Sequence, residues 1–155
     1  MENAVCFTGS RQLSADEQED LFRRLTDVAE RLIEQGYSRF LVGGALGFDE
    51  LATRVVLHLR NHHPHIRLII ALPCPDWDVK WTPADRDRYA EWCAQADEVV
   101  AVCDAYHAGC MQSRNRYLVD NSDVCVCYQK HTTGGTAYTV AYAEKQGKRM
   151  VKLKT

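Results

Sequence analysis

Apolar positions along this 155-residue chain alternate between two rhythms. One is a short, nearly unbroken run, as in Ala4-Val5-Cys6-Phe7, Phe40-Leu41-Val42, Leu68-Ile69-Ile70-Ala71-Leu72 and Val124-Cys125-Val126-Cys127-Tyr128. Such runs read as strands covered on both faces. The other is a three-to-four-residue spacing, clearest in Leu21, Phe22, Leu25, Val28, Ala29, Leu32 and Ile33, which reads as one face of a helix. The pattern predicts strands at 3–8, 39–42, 67–72, 98–103 and 124–128, with a closing edge strand at 150–153. It predicts helices after Ser14-Ala15-Asp16-Glu17, a capping-box pattern, around Leu51 to Leu59, from Thr82-Pro83 to about residue 96, over 111–120 and over 136–146. Gly36 and Gly147 stop the first and last of these, and His62-His63-Pro64-His65 ends the second. Strict strand–helix alternation implies right-handed crossovers and an α/β fold, a mainly parallel sheet with helices on both faces. Nothing interrupts the pattern, so one domain over 1–155 is expected.

Composition narrows the function classes. Hydrophobic residues make up 46% and charged residues 26%, the balance of an ordinary globular domain. The formal net charge is -2 and there is no long basic run, so the expectation is no nucleic-acid partner; Lys148, Arg149, Lys152 and Lys154 read as a solvated end. No apolar stretch reaches the roughly 18 residues that span a bilayer, and the chain opens directly into a strand pattern. The expectation is therefore no membrane association and a cytoplasmic location. Seven cysteines occur without a Cys-x-x-Cys, and Cys6, Cys103, Cys125 and Cys127 fall in apolar runs where free cysteine packs as a small hydrophobe. His58 and His62 read as a solvated helix end. No metal site is expected.

Candidate chemistry sits in three glycine turns, each at a strand-to-helix handover: Thr8-Gly9-Ser10-Arg11, Gly43-Gly44-Ala45-Leu46-Gly47-Phe48-Asp49 and Gly134-Gly135-Thr136. Glycine admits close backbone approach, and a helix N-terminus offers free N–H groups and positive potential to an anion. All three turns fall at carboxyl ends of strands, where open α/β sheets bind ligands. The middle turn lacks the Gly-x-Gly-x-x-Gly spacing and the downstream acid of a dinucleotide fingerprint, which argues against a dehydrogenase. Arg11 suits phosphate. Asp49 has two open readings, helix N-cap or acceptor for a ribose hydroxyl. Arg114 and Asn115 are polar residues on a short helix beside apolar strands, as in a site wall. Trp77, Trp81, Tyr89 and Tyr106 offer rings for loop packing or for stacking on a base.

Jointly, Cys6 to Arg11, Gly43 to Asp49, Leu72-Pro73-Cys74 with Trp81, Met111 to Asp120, and Gly134-Gly135-Thr136 resemble the YpsA-like branch of the SLOG superfamily, which also holds LOG phosphoribohydrolases and DprA-type proteins. The resemblance implies a Rossmann-like three-layer sandwich that binds or senses a nucleotide or nucleotide-derived ligand, with ADP-ribose and NAD-related molecules as candidates, in a regulatory, signalling role in bacteria. The expected ligand-binding residues are Thr8, Gly9, Ser10, Arg11, Gly43, Gly44, Gly47, Asp49, Trp81, Arg114, Asn115, Gly134, Gly135 and Thr136. LOG hydrolases carry Met-x-x-Arg-Lys and Pro-Gly-Gly-x-Gly-Thr-x-x-Glu segments. Here Arg114 matches, Asn115 replaces the lysine, and Thr139 stands where the glutamate would follow. That departure favours a non-catalytic binder. The alternative is a hydrolase of an N-glycosidic or phosphate bond, with Asp49 or Asp120 as acid/base and Arg114 stabilising charge; a third reading is a scaffold that has lost its ligand. Homodimerisation is implied by family analogy alone.

Overall fold

The computed structural model describes residues 3–155. Six strands form one parallel sheet: β1 (Ala4–Gly9), β2 (Arg39–Val42), β3 (Arg67–Leu72), β4 (Glu98–Ala101), β5 (Val124–Tyr128) and β6 (Arg149–Lys152). Five helices connect them: α1 (Ala15–Glu34), α2 (Phe48–Arg60), α3 (Pro83–Gln95), α4 (Cys110–Asp120) and α5 (Gly135–Lys145). The spatial order is β4-β3-β2-β1-β5-β6. The chain thus steps outward from β1 to β4, crosses back, and continues from β5 on the other side of β1. This is the Rossmann-like α/β arrangement that strand–helix alternation implied.

Alternating strand residues feed two cores. Val5, Phe7, Phe40, Val42, Leu68, Ile70, Val124 and Val126 pack with α1 and α2 on one face. Ala4, Cys6, Leu41, Ile69, Ala71, Cys125 and Cys127 pack with α4 and α5 on the other. The period of two in a strand sorts neighbours onto opposite faces, so runs apolar at every position need helices on both. Cys125 and Cys127 share the α4–α5 face, as their spacing requires.

Local signals act where the pattern places them. Ser14 Oγ accepts the Glu17 N–H at 3.1 Å while Glu17 Oε1 accepts the Ser14 N–H at 3.0 Å, closing the capping box that starts α1. Thr82 caps α3 with Pro83 at its first position. α3 is tied to α2 through Glu50, which accepts Arg88 Nε at 2.8 Å and Trp92 Nε1 at 2.9 Å. One strand is shorter than its apolar run: β4 stops at Ala101. Val102 and Cys103 still donate backbone N–H groups to Leu72 and Pro73, extending the β3–β4 pairing into the loop.

Candidate functional site

The loop after β1 turns away toward α1 and the loop after β5 turns away toward α5, because the two strands are neighbours whose helices lie on opposite faces. A crevice opens between them, at the point where the strand order reverses. It is a cleft of ≈ 690 Å³, lined by the 8–12 loop, Ala45, Asp49, the first turns of α4, and the segment 130–136 with Tyr138. That volume lies within the range of small-molecule sites, roughly 300–1,000 Å³.

The first turns of two helices line this space. α5 starts at Gly135 after Gly134 (φ 102°), and α4 starts at Cys110 after Gly109 (φ 92°). Neither has a side-chain cap, so Thr136 does not cap α5; the Cys110 N–H that opens α4 is taken by the His107 carbonyl at 3.1 Å, and uncapped first-turn N–H groups suit an anion. Thr139, at the position of the LOG glutamate, is fully buried and its hydroxyl donates to the Gly135 carbonyl at 2.9 Å. A helix-internal hydroxyl therefore replaces that acid.

Arg114 is the buried cation of the site, 3% exposed. Its Nη1 donates to the Gly43 and Ala71 carbonyls and its Nε to Asn115 Oδ1, while the guanidinium carbon lies 5.6 Å from the Trp77 ring centre. Asp49 faces it across the second glycine turn, 7% exposed, with Oδ2 accepting the Ala45 N–H at 3.2 Å. Burial pushes the Asp49 carboxyl above the usual carboxylate range, and Arg114, the Ala45 N–H and Arg11 pull it back. Asp49 is not the N-cap of α2; Gly47 is.

The structure brings Thr8, Gly9, Ser10, Arg11, Asp49, Arg114, Asn115, Gly134, Gly135 and Thr136 to the cleft. Gly43, Gly44, Gly47 and Trp81 stand outside its lining, each for a packing reason. A Cβ on Gly43 would lie 2.8 Å from both Arg114 Nη1 and Asp49 Oδ2, and one on Gly47 would lie 2.3 Å from the Arg11 carbonyl oxygen. Gly44 (φ +73°) turns the chain over Ile70, Leu72 and Tyr89. Trp81 packs edge-on against Trp77 at 4.9 Å and Tyr89 at 5.3 Å. Tyr106 is exposed in the β4–α4 loop, outside the lining. Asp120 lies at the far end of α4 and accepts the Tyr142 hydroxyl, away from the cleft.

Sequence reasoning missed Lys130 and His131, which line the cleft together with Gln12 and Tyr138. Lys130 Nζ reaches both the Gln12 carbonyl and Glu17 Oε1 at 3.1 Å, joining the first and third glycine turns. Two basic residues between β5 and Gly134-Gly135, separated from the glycines by Thr132 and Thr133, were the available signal. Away from the cleft, the Cys103 and Cys110 sulfurs and a His107 ring nitrogen lie within 4.8 Å of one another.

The sequence model described as the YspA SLOG family matches residues 15–155. A UPF0398 protein of Halalkalibacterium halodurans is 35% identical over 118 residues, 74% of this chain and 62% of that protein. The SPbeta prophage-derived protein YoqJ of Bacillus subtilis is 34% identical over 135 residues, 79% of each chain. The chain thus spans rather under two thirds of the first relative's length. Among solved structures, DNA processing protein A of Helicobacter pylori, known for a single-stranded DNA binding mode, superposes with TM-score 0.71 over 98% of this chain and 65% of its own, at 21% identity. DprA of Streptococcus pneumoniae superposes with TM-score 0.68 over 96% of this chain and 49% of its own, at 14% identity. The expectation of no nucleic-acid partner is corrected here, since a DNA-binding protein shares this fold across nearly the whole chain. The reason is physical: net charge and run length average over the surface, whereas folding gathers Arg11, Arg114 and Lys130 from three separate segments into one cleft. No helix among the described residues is long and apolar enough to cross a membrane. By the span of the family match and the identity of its relatives, the chain belongs to the YspA SLOG family.

Proposed function

We propose that the cleft between the β1 and β5 loops binds the phosphate and ribose of a nucleotide and holds them without cleaving them. The observation that carries this reading is the charge arrangement: two uncapped helix N-termini with Arg11, Arg114 and Lys130 around a single lining carboxylate, Asp49. Helix N-termini and arginine recognise phosphate oxygens. Asp49, held by the Ala45 N–H on the floor with Arg114 nearby, suits a ribose hydroxyl. ADP-ribose and NAD-like molecules carry both groups, and a regulatory role fits a site of this kind. The LOG glutamate has no counterpart here, since Thr139 occupies its position, and Asp120 lies outside the cleft.

A second reading, nucleotides within single-stranded DNA, is favoured by the fold shared with the Helicobacter DNA processing protein. In that case the same cleft takes one phosphate of a strand and the rest of the strand runs over the flanking loops.

Thermal shift with AMP, ADP-ribose, NAD and an oligothymidylate separates these readings. Arg11 is exposed, so Arg11→Ala leaves the fold intact and removes one charge-assisted contact worth about 1.5–3 kcal/mol. The expected result is stabilisation by at least one ligand, weakened roughly 10–100-fold by the substitution. No stabilisation by any of the four overturns the reading, and product formation abolished by Asp49→Asn replaces it with hydrolysis.

A further inference from the structure

Cys74, Cys103, His107 and Cys110 come from three places that the sheet brings together. Cys74 follows β3 by two residues and Cys103 follows β4 by two. The backbone bonds Val102 to Leu72 (2.9 Å) and Cys103 to Pro73 (2.9 Å) continue the parallel pairing past the strand ends, setting the two cysteines side by side. Cys110 is the first residue of α4. The chain doubles back to it through Gly109, whose φ of 92° only glycine takes readily. In that turn the His107 N–H donates to Cys110 Sγ at 3.1 Å.

Buried free cysteines ordinarily pack as small hydrophobes, as Cys6, Cys125 and Cys127 do here. This group differs in three ways. A histidine ring from an exposed residue sits among the sulfurs, with one ligand atom each from Cys103, His107 and Cys110 within 4.8 Å of one another. Cys74, 2% exposed, stands beside Cys103 in the extended β3–β4 register. The Cys110 sulfur already accepts a backbone N–H bond, the kind of outer contact that supports a metal thiolate. A tetrahedral zinc ion with Zn–S of about 2.3 Å sets sulfurs about 3.8 Å apart, so Cys103 and Cys110 need to draw in by only about 1 Å, with Cys74 turning toward them from the neighbouring strand end. Exposure of His107 and partial exposure of Cys103 give an entry path.

We propose that Cys74, Cys103, His107 and Cys110 form a tetrahedral site for a zinc-class divalent cation. On binding, the three thiols release their protons to solvent and neutral His107 supplies the fourth bond, leaving a complex of net charge minus one. The ion fixes the exposed 104–109 loop and the first turn of α4, whose next residues, Met111, Gln112, Arg114 and Asn115, line the nucleotide cleft. Its role is structural, since all four positions are filled by protein.

The test uses the full chain, reduced and stripped with a chelator, then titrated with Co2+ and back-titrated with Zn2+. The expected result is a saturable spectrum with tetrahedral d–d bands and thiolate-to-cobalt charge transfer, displaced by Zn2+ with proton release. His107→Ala, on the surface and safe for folding, weakens Zn2+ binding by more than the roughly 10–100-fold typical of an outer-shell change. Cys110→Ser lowers the charge-transfer intensity by about one third or more and weakens binding, and Cys93→Ser on α3 leaves the spectrum unchanged. Absence of tetrahedral bands, or bands that keep full intensity in both His107→Ala and Cys110→Ser, overturns the proposal. So does a Cys103–Cys110 disulfide in the purified protein with no metal uptake after reduction.

Discussion

Gly43, Asp49 and Arg114 form a unit whose three members explain one another. Arg114 reaches the Gly43 and Ala71 carbonyls only because Gly43 has no side chain in its path. Asp49 supplies the nearby negative charge. Replacing Arg114 by Met strands a buried carboxylate and two carbonyls, so a loss of about 3–5 kcal/mol is expected by chemical denaturation. Asp49→Asn on top of it removes the stranded charge and restores part of the loss. A double-mutant cycle with no coupling would rule out this account. The same trio shows the limit of reading single residues. The glycines of the second turn were visible, and their conformational freedom pointed to a ligand. Their neighbours were not visible, and it is Arg114, Asp49 and the Arg11 carbonyl that fill the space. Gly9 repeats the lesson: it lines the cleft, yet a Cβ there would also meet the Phe48 ring at 2.3 Å.

At the scale of elements, Glu17 joins the start of α1 to the end of β5. It completes the capping box, accepts the Tyr128 hydroxyl at 2.6 Å and pairs with Lys130. The Ser14 N–H, then Tyr128 and Lys130, hold its carboxyl down from 4.5 to about 2. A carboxyl depressed in the folded state stabilises at pH values above its unfolded pKa, and that contribution disappears as pH falls through the folded one. Glu17→Gln keeps an oxygen for the cap and removes the charge. The wild-type advantage over this variant is expected to be level above about pH 5 and to vanish between about 4.5 and 2, as followed by thermal melts across that range. Elements themselves were legible because β1, β3 and β5 are buried on both faces and leave unbroken apolar runs, while Ser14, Thr82 and Gly36 mark ends. Lys130 and His131 were not, because a loop has no period to betray which way its side chains turn.

For the whole molecule, the decisive fact is strand order. Alternation announces strands and helices but not that β5 returns to the side of β1 opposite β2, and the cleft exists only through that return. The cation cluster follows from it, which is why charge counted along the sequence missed it. The two ligand readings differ here in a measurable way. Single-strand binding loses affinity with salt at a slope of about −0.7 per neutralised phosphate. A strand held by more than the cleft should therefore steepen with oligonucleotide length, whereas a mononucleotide site gives the same slope for a monomer and a long strand. Fluorescence anisotropy across a salt series reads this directly, and a length-independent slope excludes strand binding beyond the cleft. The position of β1 has one more consequence, in the order of synthesis. Its partner on one side, β2, begins at Arg39, but its partner on the other, β5, begins at Val124. A ribosome must therefore deliver some 80 further residues before the second edge of the central strand is closed. Until then the growing chain carries an open apolar edge, the kind of surface that pairs with other chains. The cleft between the β1 and β5 loops is among the last features of the molecule to come into being.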